Sequence, residues 1–107
     1  MRIKGYLHEI KNPIKETDQF GKTSLRQEFI VENENHYLLK VVFSVIGYNL
    51  NELNNYIDHS IVVDFEINAR EVKDEYFNIL YPYRIEILDI NENSLKVFDI
   101  GGRYFDL

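Results

Sequence analysis

The alternation of apolar and polar residues gives this chain its first outline. Arg2–Ile10 has the composition of a strand, and the polar run Lys11–Ser24, punctuated by Asn12-Pro13 and Gly21, predicts a long loop after it. Leu25–Glu32 resumes strand character, Asn33-Glu34-Asn35 makes a turn, and Tyr37–Ile46 returns as the second arm of a hairpin. In that arm Tyr37, Leu39, Val41, Phe43 and Val45 share one side by the two-residue period, which marks the core side. Gly47 ends the strand, and Leu50, Leu53, Tyr56 and Ile57 recur at the spacing of a short amphipathic helix.

The pattern then returns to period two. Ile61, Val63, Phe65, Ile67 and Ala69 alternate inward against Val62, Asp64, Glu66, Asn68 and Arg70 outward. Glu71–Glu75 forms a charged hairpin tip, and Tyr76–Ile90 makes a long second arm in which Phe77, Ile79, Tyr81, Tyr83, Ile85 and Ile87 share parity. Pro82 inside that arm predicts a bulge or an edge, because proline cannot donate to a ladder. Asn91–Leu107 begins with a turn, supplies a short strand at Leu95–Ile100, breaks at Gly101-Gly102 and ends in a tail. Tail residues Tyr104 and Phe105 either pack back on the body or meet a partner.

The resulting order is strand, loop, strand, strand, short helix, strand, strand. An all-β barrel with one short helix follows, in the element order of a five-stranded OB-fold over residues 1–90, with 91–107 as a C-terminal extension. The main rival, an SH3-like barrel, does not naturally place a helix in that connection.

Composition narrows the classes further. The chain has 107 residues, 45% of them hydrophobic, with 8 Tyr and 7 Phe, which suits one globular domain with a modest core. Cysteine is absent, so disulfides, thiolate zinc sites and cysteine nucleophiles are excluded; this fits a cytoplasmic protein. No segment reads as a signal peptide or a membrane span. The net charge of −6 opposes bulk electrostatic coating of nucleic acid. The charge is uneven, however: residues 1–40 hold seven basic and six acidic residues, against five and twelve in 41–107.

Two blocks carry a resemblance. Gln27-Glu28-Phe29-Ile30-Val31-Glu32 with Tyr37 and Lys40–Gly47 is one; Val63–Glu71, Tyr76-Phe77-Asn78 and Tyr83-Arg84-Ile85-Glu86 is the other. Together they resemble a family of short bacterial OB-fold proteins of unknown function, over about residues 1–88. The family is described as similar to single-stranded-DNA-binding proteins, so the resemblance implies a DNA-binding groove. This chain departs from the pattern at Asp74 and Glu75, where a glycine and a basic residue are usual, and at Tyr48, where an acidic residue is usual.

Single-strand binding needs cations along the phosphates and aromatic faces for the bases. On an OB-fold that surface lies on the second and third strands and two flanking loops. The candidates are Phe20, Lys22 and Arg26 on the first loop and second strand, Lys40 on the third, and Arg70, Lys73, Tyr76 and Arg84 on the second hairpin. Arg26, Lys40, Arg70 and Lys73 would contact phosphates while Tyr76 stacks. The competing reading makes all of these solvated charges, with Arg70 paired to Glu66 or Glu71 and Asp64, Glu66, Asp74 and Glu75 interleaved. Phe29, Tyr37, Phe43, Phe65, Phe77 and Tyr81 have inward parity and read as core.

Nothing in the sequence supports catalysis, a cofactor or a metal. Gly21-Lys22-Thr23-Ser24 mimics the end of a phosphate-binding loop, but Glu16 occupies the place of its first glycine and a strand follows. His8, His36 and His59 lack a second ligand at metal spacing, and Asp74-Glu75 lies on an exposed tip. Two other classes stay open. One is a protein-interaction or assembly module, with a homo-oligomer formed through exposed strand edges such as the first strand. The other is a small-ligand or oligosaccharide-binding barrel.

Overall fold

The computed structural model describes residues 1–33, 39–88 and 96–100. Among them run β1 (Arg2–Ile10), β2 (Ile14–Thr17), β3 (Thr23–Asn33), β4 (Lys40–Ile46), a 3-10 helix (Asn51–Tyr56), β5 (Ser60–Val72), β6 (Glu75–Ile87) and β7 (Lys96–Asp99). The strands join one sheet, and every pairing in it is antiparallel. The sheet curls on itself so that β4 and β6 approach across the remaining side, giving an all-β, barrel-like fold. No helix among the described residues is long and apolar enough to cross a membrane.

β1 lies in the middle of this sheet. Its first half pairs with β5, Arg2 opposite Asp64 through Tyr6 opposite Ser60, and its second half pairs with β3. β1 is therefore an internal strand, with Gly5 and Tyr6 paired on both sides, rather than the fully open edge strand that the sequence reading offered for subunit pairing. Gly5 sits where β1 and β3 press closest: a Cβ there would overlap the Glu32 carbonyl oxygen and stand 2.8 Å from Val31 Cγ1.

The expected long loop after β1 contains a strand. β2 runs along the same edge of β3 that β1 occupies, Ile14 opposite Arg26 through Thr17 opposite Thr23, so β1 and β2 act as one strand broken at 11–13. Lys11 N donates to Glu28 O at 2.8 Å and keeps the ladder continuous across the break. The break follows from Pro13, which has no N–H to give.

The core is built from the inward set of each strand. Phe29 stacks on Phe43 with ring centroids 5.2 Å apart, and Phe43 meets Phe65 edge-on at 5.1 Å. Leu7, Val31, Val45, Ile61, Val63, Ile85 and Ile87 surround them, fully buried. Leu50 and Leu53 enter from the 3-10 helix, which is six residues long, rich in asparagine and without a side-chain N-cap. Such a segment is too short and too weak in propensity for a regular α-helix. Phe98 and Ile100 are also buried, so the segment expected as an appendage completes the core beside β6.

Beyond residue 65 the β5–β6 hairpin leaves the body. From Ile67 opposite Leu80 to Val72 opposite Glu75 it continues as a two-stranded ribbon roughly 20 Å long, at about 3.3 Å per residue. Residues 66–78 are all exposed, which explains the elongated 46 × 26 × 23 Å envelope. Ile67, Ala69 and Phe77, read as core from their parity, are therefore outside. A register shift between Asp64 and Phe65 makes Tyr83 the extra residue of a bulge, beside buried Pro82. Beyond it the parity of β6 reverses, and Phe77 lies opposite Arg70 rather than in line with Ile85 and Ile87. Leu39 is exposed as well, whereas Tyr37, Asn91, Tyr104 and Phe105 lie outside the described residues.

Candidate functional site

Two hairpins, β2–β3 and the outer part of β5–β6, carry most of the exposed candidate residues. In the shorter one, β2–β3, the Asp18 carboxylate accepts the backbone N–H groups of Phe20 and Lys22, each at 2.9 Å. Asp18 N donates to Lys22 O at 2.9 Å and Gly21 N to Asp18 O at 3.1 Å, closing the tip. Asp18 is thus occupied in holding the turn, and the turn holds Phe20 84% exposed with Lys22 beside it.

In the longer hairpin, Lys73 and Asp74 both have positive φ, 50° and 67°, as a two-residue turn of the type I′ class requires. Asp74 occupies a backbone position that glycine prefers, which gives the departure noted in the sequence a conformational meaning. Tyr76 is 70% exposed and Phe77 50%. The Tyr76 phenol faces the Glu71 carboxylate directly across the ribbon, and that neighbour raises its pKa above the ordinary phenol value.

The hairpins meet over a cleft of about 330 Å³ lined by Glu16, Thr17, Asp18, Ser24 and Arg70. Of the expected cations and rings only Arg70 lines this cleft; Phe20 and Lys22 sit at the tip of the shorter hairpin, Lys73 at the tip of the longer one, and Tyr76, opposite Glu71, lies on the other face of the ribbon from Arg70, which is opposite Phe77. No ion pair engages Lys22, Arg70 or Lys73 among the described residues, so the expected pairing of Arg70 with Glu66 or Glu71 is not formed.

The other three cations do not join them. Arg26 is half-buried, with Nε 2.9 Å from Glu16 Oε1 and an amino group 3.6 Å from Glu28 Oε2. The Nε–H is not aimed along the first contact, which is an ion pair without a directed hydrogen bond. Lys40 stands opposite Glu32, six residues along the ladder from the pair of Arg26 and Ile46, or about 20 Å away. Arg84 is held 3.0 Å from Glu86 and 3.7 Å from Asp64.

Asp64 organises this last group. Its outward parity suggested a solvated charge, yet it is buried, accepting Arg2 Nε at 2.7 Å and a second Arg2 nitrogen at 3.3 Å. The hydrogen bonds from Arg2 hold its carboxyl below the usual carboxylate range, against the opposing effect of burial. Arg84 therefore belongs to a structural cluster.

The described residues contain no group of three metal-ligating side chains. His8 faces Glu32 at 3.5 Å and His59 meets the Tyr56 ring edge-on, while His36 lies outside the described residues. Sequence reasoning missed Phe77 because the bulge reverses its parity. It also missed a second cavity beside β2–β3, of about 540 Å³, whose lining comes from three separate stretches of chain and carries no spacing signal.

The chain matches the family model of a domain of unknown function, DUF3127, over residues 2–86, and belongs to that family. No curated protein and no solved structure matches it.

Proposed function

We propose that this DUF3127 member is a non-enzymatic OB-fold module that binds single-stranded nucleic acid across its two projecting hairpins. The strand pairings and the helix between β4 and β5 suit that fold, whose binding loops flank one face of the barrel. One observation carries the reading. Each hairpin holds an exposed aromatic ring, Phe20 or Tyr76, next to cations that no carboxylate engages. Stacking is tolerant of sequence and does not need a basic protein, which reconciles single-strand binding with a net charge of −6.

The cations set the salt dependence. Three of them, Lys22, Arg70 and Lys73, give a slope of about −2 in log affinity against log salt, or about 16-fold between 50 and 200 mM. Anisotropy titration of labelled oligo-dT checks this, with a duplex control that binds far more weakly. Phe20→Ala and Tyr76→Ala should each weaken binding by about 5- to 150-fold, the worth of about 1–3 kcal/mol per stacked base. Arg70→Glu should remove most of the affinity. Absence of binding at low salt, or indifference to both aromatic substitutions, defeats the reading.

A second reading is an assembly module. Ile67, Val72, Tyr76 and Phe77 are exposed on a ribbon that has only two strands, and an isolated two-stranded hairpin is marginal in water. Light scattering decides: a dimer disrupted by Phe77→Asp, with no nucleic-acid binding, supports assembly instead.

A further inference from the structure

The larger cavity, of about 540 Å³, lies between the β2–β3 hairpin and the segment after β4. Its size falls within the range of small-molecule sites, roughly 300–1,000 Å³. Pro13, Leu25 and Tyr48 supply apolar wall, and Gln27, Asn49 and Asn51 supply amides. No ionisable acid or base lines it, apart from the Tyr48 phenol, so its chemistry selects a neutral occupant.

The amides are oriented. Gln27 Nε2 donates to the Lys11 carbonyl at 3.0 Å, which leaves Oε1 as an acceptor. Asn49 Oδ1 accepts the Asn51 N–H at 2.8 Å, which leaves its NH₂ group as a donor. Each side chain is fixed at one end by the backbone and keeps the opposite function unbonded at the other. A flat occupant that carries both a donor and an acceptor on its rim and has apolar faces satisfies both the amides and the walls. A sugar, with hydroxyls around its whole rim, would leave some of them against Leu25 and Pro13 without partners.

Ser24 borders both this cavity and the cleft that contains Arg70. From these observations we infer that the cavity is a nucleobase pocket, receiving one base of a strand that passes over Arg70 and the hairpin tips. The inference rests on the single-strand reading, and it adds base recognition by Gln27 and Asn49 to the stacking on Phe20 and Tyr76.

The test uses the four free deoxynucleosides, which carry no phosphate and so do not depend on the cations. Side-chain amide signals of the full chain are followed by ¹⁵N NMR at millimolar nucleoside, with ribose and glucose as controls. At least one nucleoside should shift the Gln27, Asn49 and Asn51 amides while neither sugar does. Gln27→Met and Asn49→Ala should each lower that affinity by up to about tenfold, one hydrogen bond's worth. Unmoved amides with every nucleoside, or equal shifts with ribose, overturn the pocket whatever oligo-dT does. Nucleoside shifts without oligo-dT binding support the pocket and defeat the strand reading instead.

Discussion

Gly5 offers the sharpest test of how the barrel is held together, because its role is purely steric. Its φ is not positive, so alanine is conformationally acceptable there. The added Cβ, however, overlaps the Glu32 carbonyl and sits 2.8 Å from Val31 Cγ1. Overpacking typically costs about 1–3 kcal/mol, and a backbone carbonyl inside a ladder cannot rotate aside, which places Gly5→Ala near the upper value. Against this, alanine restricts the unfolded chain and returns about 0.4–1 kcal/mol. The net loss is then about 2 kcal/mol, or a Tm lower by about 8–16 °C for a domain near this size. In urea it lowers the midpoint by about 1 M at an m-value of about 2 kcal/mol/M, with m unchanged. Gly21→Ala is the control: it has open space around its Cβ but a φ of +80°, so it should lose only about 1 kcal/mol through backbone strain. If Gly5→Ala unfolds no more readily than Gly21→Ala, the close approach of β1 to β3 is not what demands glycine.

Three further outcomes follow from the same geometry. The Asp64 carboxyl titrates below its unfolded value of about 3.9, so its contribution is present above that pH and is lost as pH falls through the lower folded value. Asp64→Asn should therefore be less stable at neutral pH and lose less stability on acidification below about pH 5; parallel urea curves for the two proteins contradict this. Asp74→Gly places glycine at φ +67° and should slow amide exchange in the β5–β6 ribbon by up to about tenfold, leaving oligo-dT affinity within about twofold. Ending the chain at Leu88 removes buried Phe98 and Ile100, worth about 1.5–3 kcal/mol each, and should abolish or broaden the cooperative thermal transition; a melt within a few degrees of the full chain shows β7 to be dispensable.

The strands from 25 to 65 were legible because one face of each is buried and the other wet, so period two is written directly in Phe29, Val31, Phe43, Val45, Ile61 and Val63. Legibility ended where that condition ended. Along the ribbon both faces are wet, so the alternation of Ile67, Ala69 and Phe77 no longer reports a core. Pro82 announced a bulge, but nothing local identified Tyr83 as the residue that would carry it. β2 was hidden because Asn12-Pro13 reads as the start of a loop although the strand resumes beyond it. For the candidate site, Lys73 and Tyr76 could be put at a hairpin tip because the charged turn Glu71–Glu75 is local, whereas Phe20 and Lys22 read only as loop residues while β2 stayed hidden. The environments of Arg26 and Arg84 could not be read, since they depend on partners such as Glu16 and Glu86 that only the register supplies, and the register also sets Lys40 far along the ladder from Arg26.

The central place of β1 also governs time. Arg2 pairs with Asp64 and Tyr6 with Ser60, so one edge of this strand waits for a segment about sixty residues later in the chain. Such long-range closure must precede the reward of the contacts it makes, and all-β domains of this kind fold in milliseconds to seconds. During synthesis, at about 5–20 residues per second, the β1–β3 ladder has seconds to exist before β5 emerges, and its other edge stays open throughout. Early in its life the protein therefore exposes the very edge that the finished sheet conceals, and that interval is when a chaperone would have most to protect.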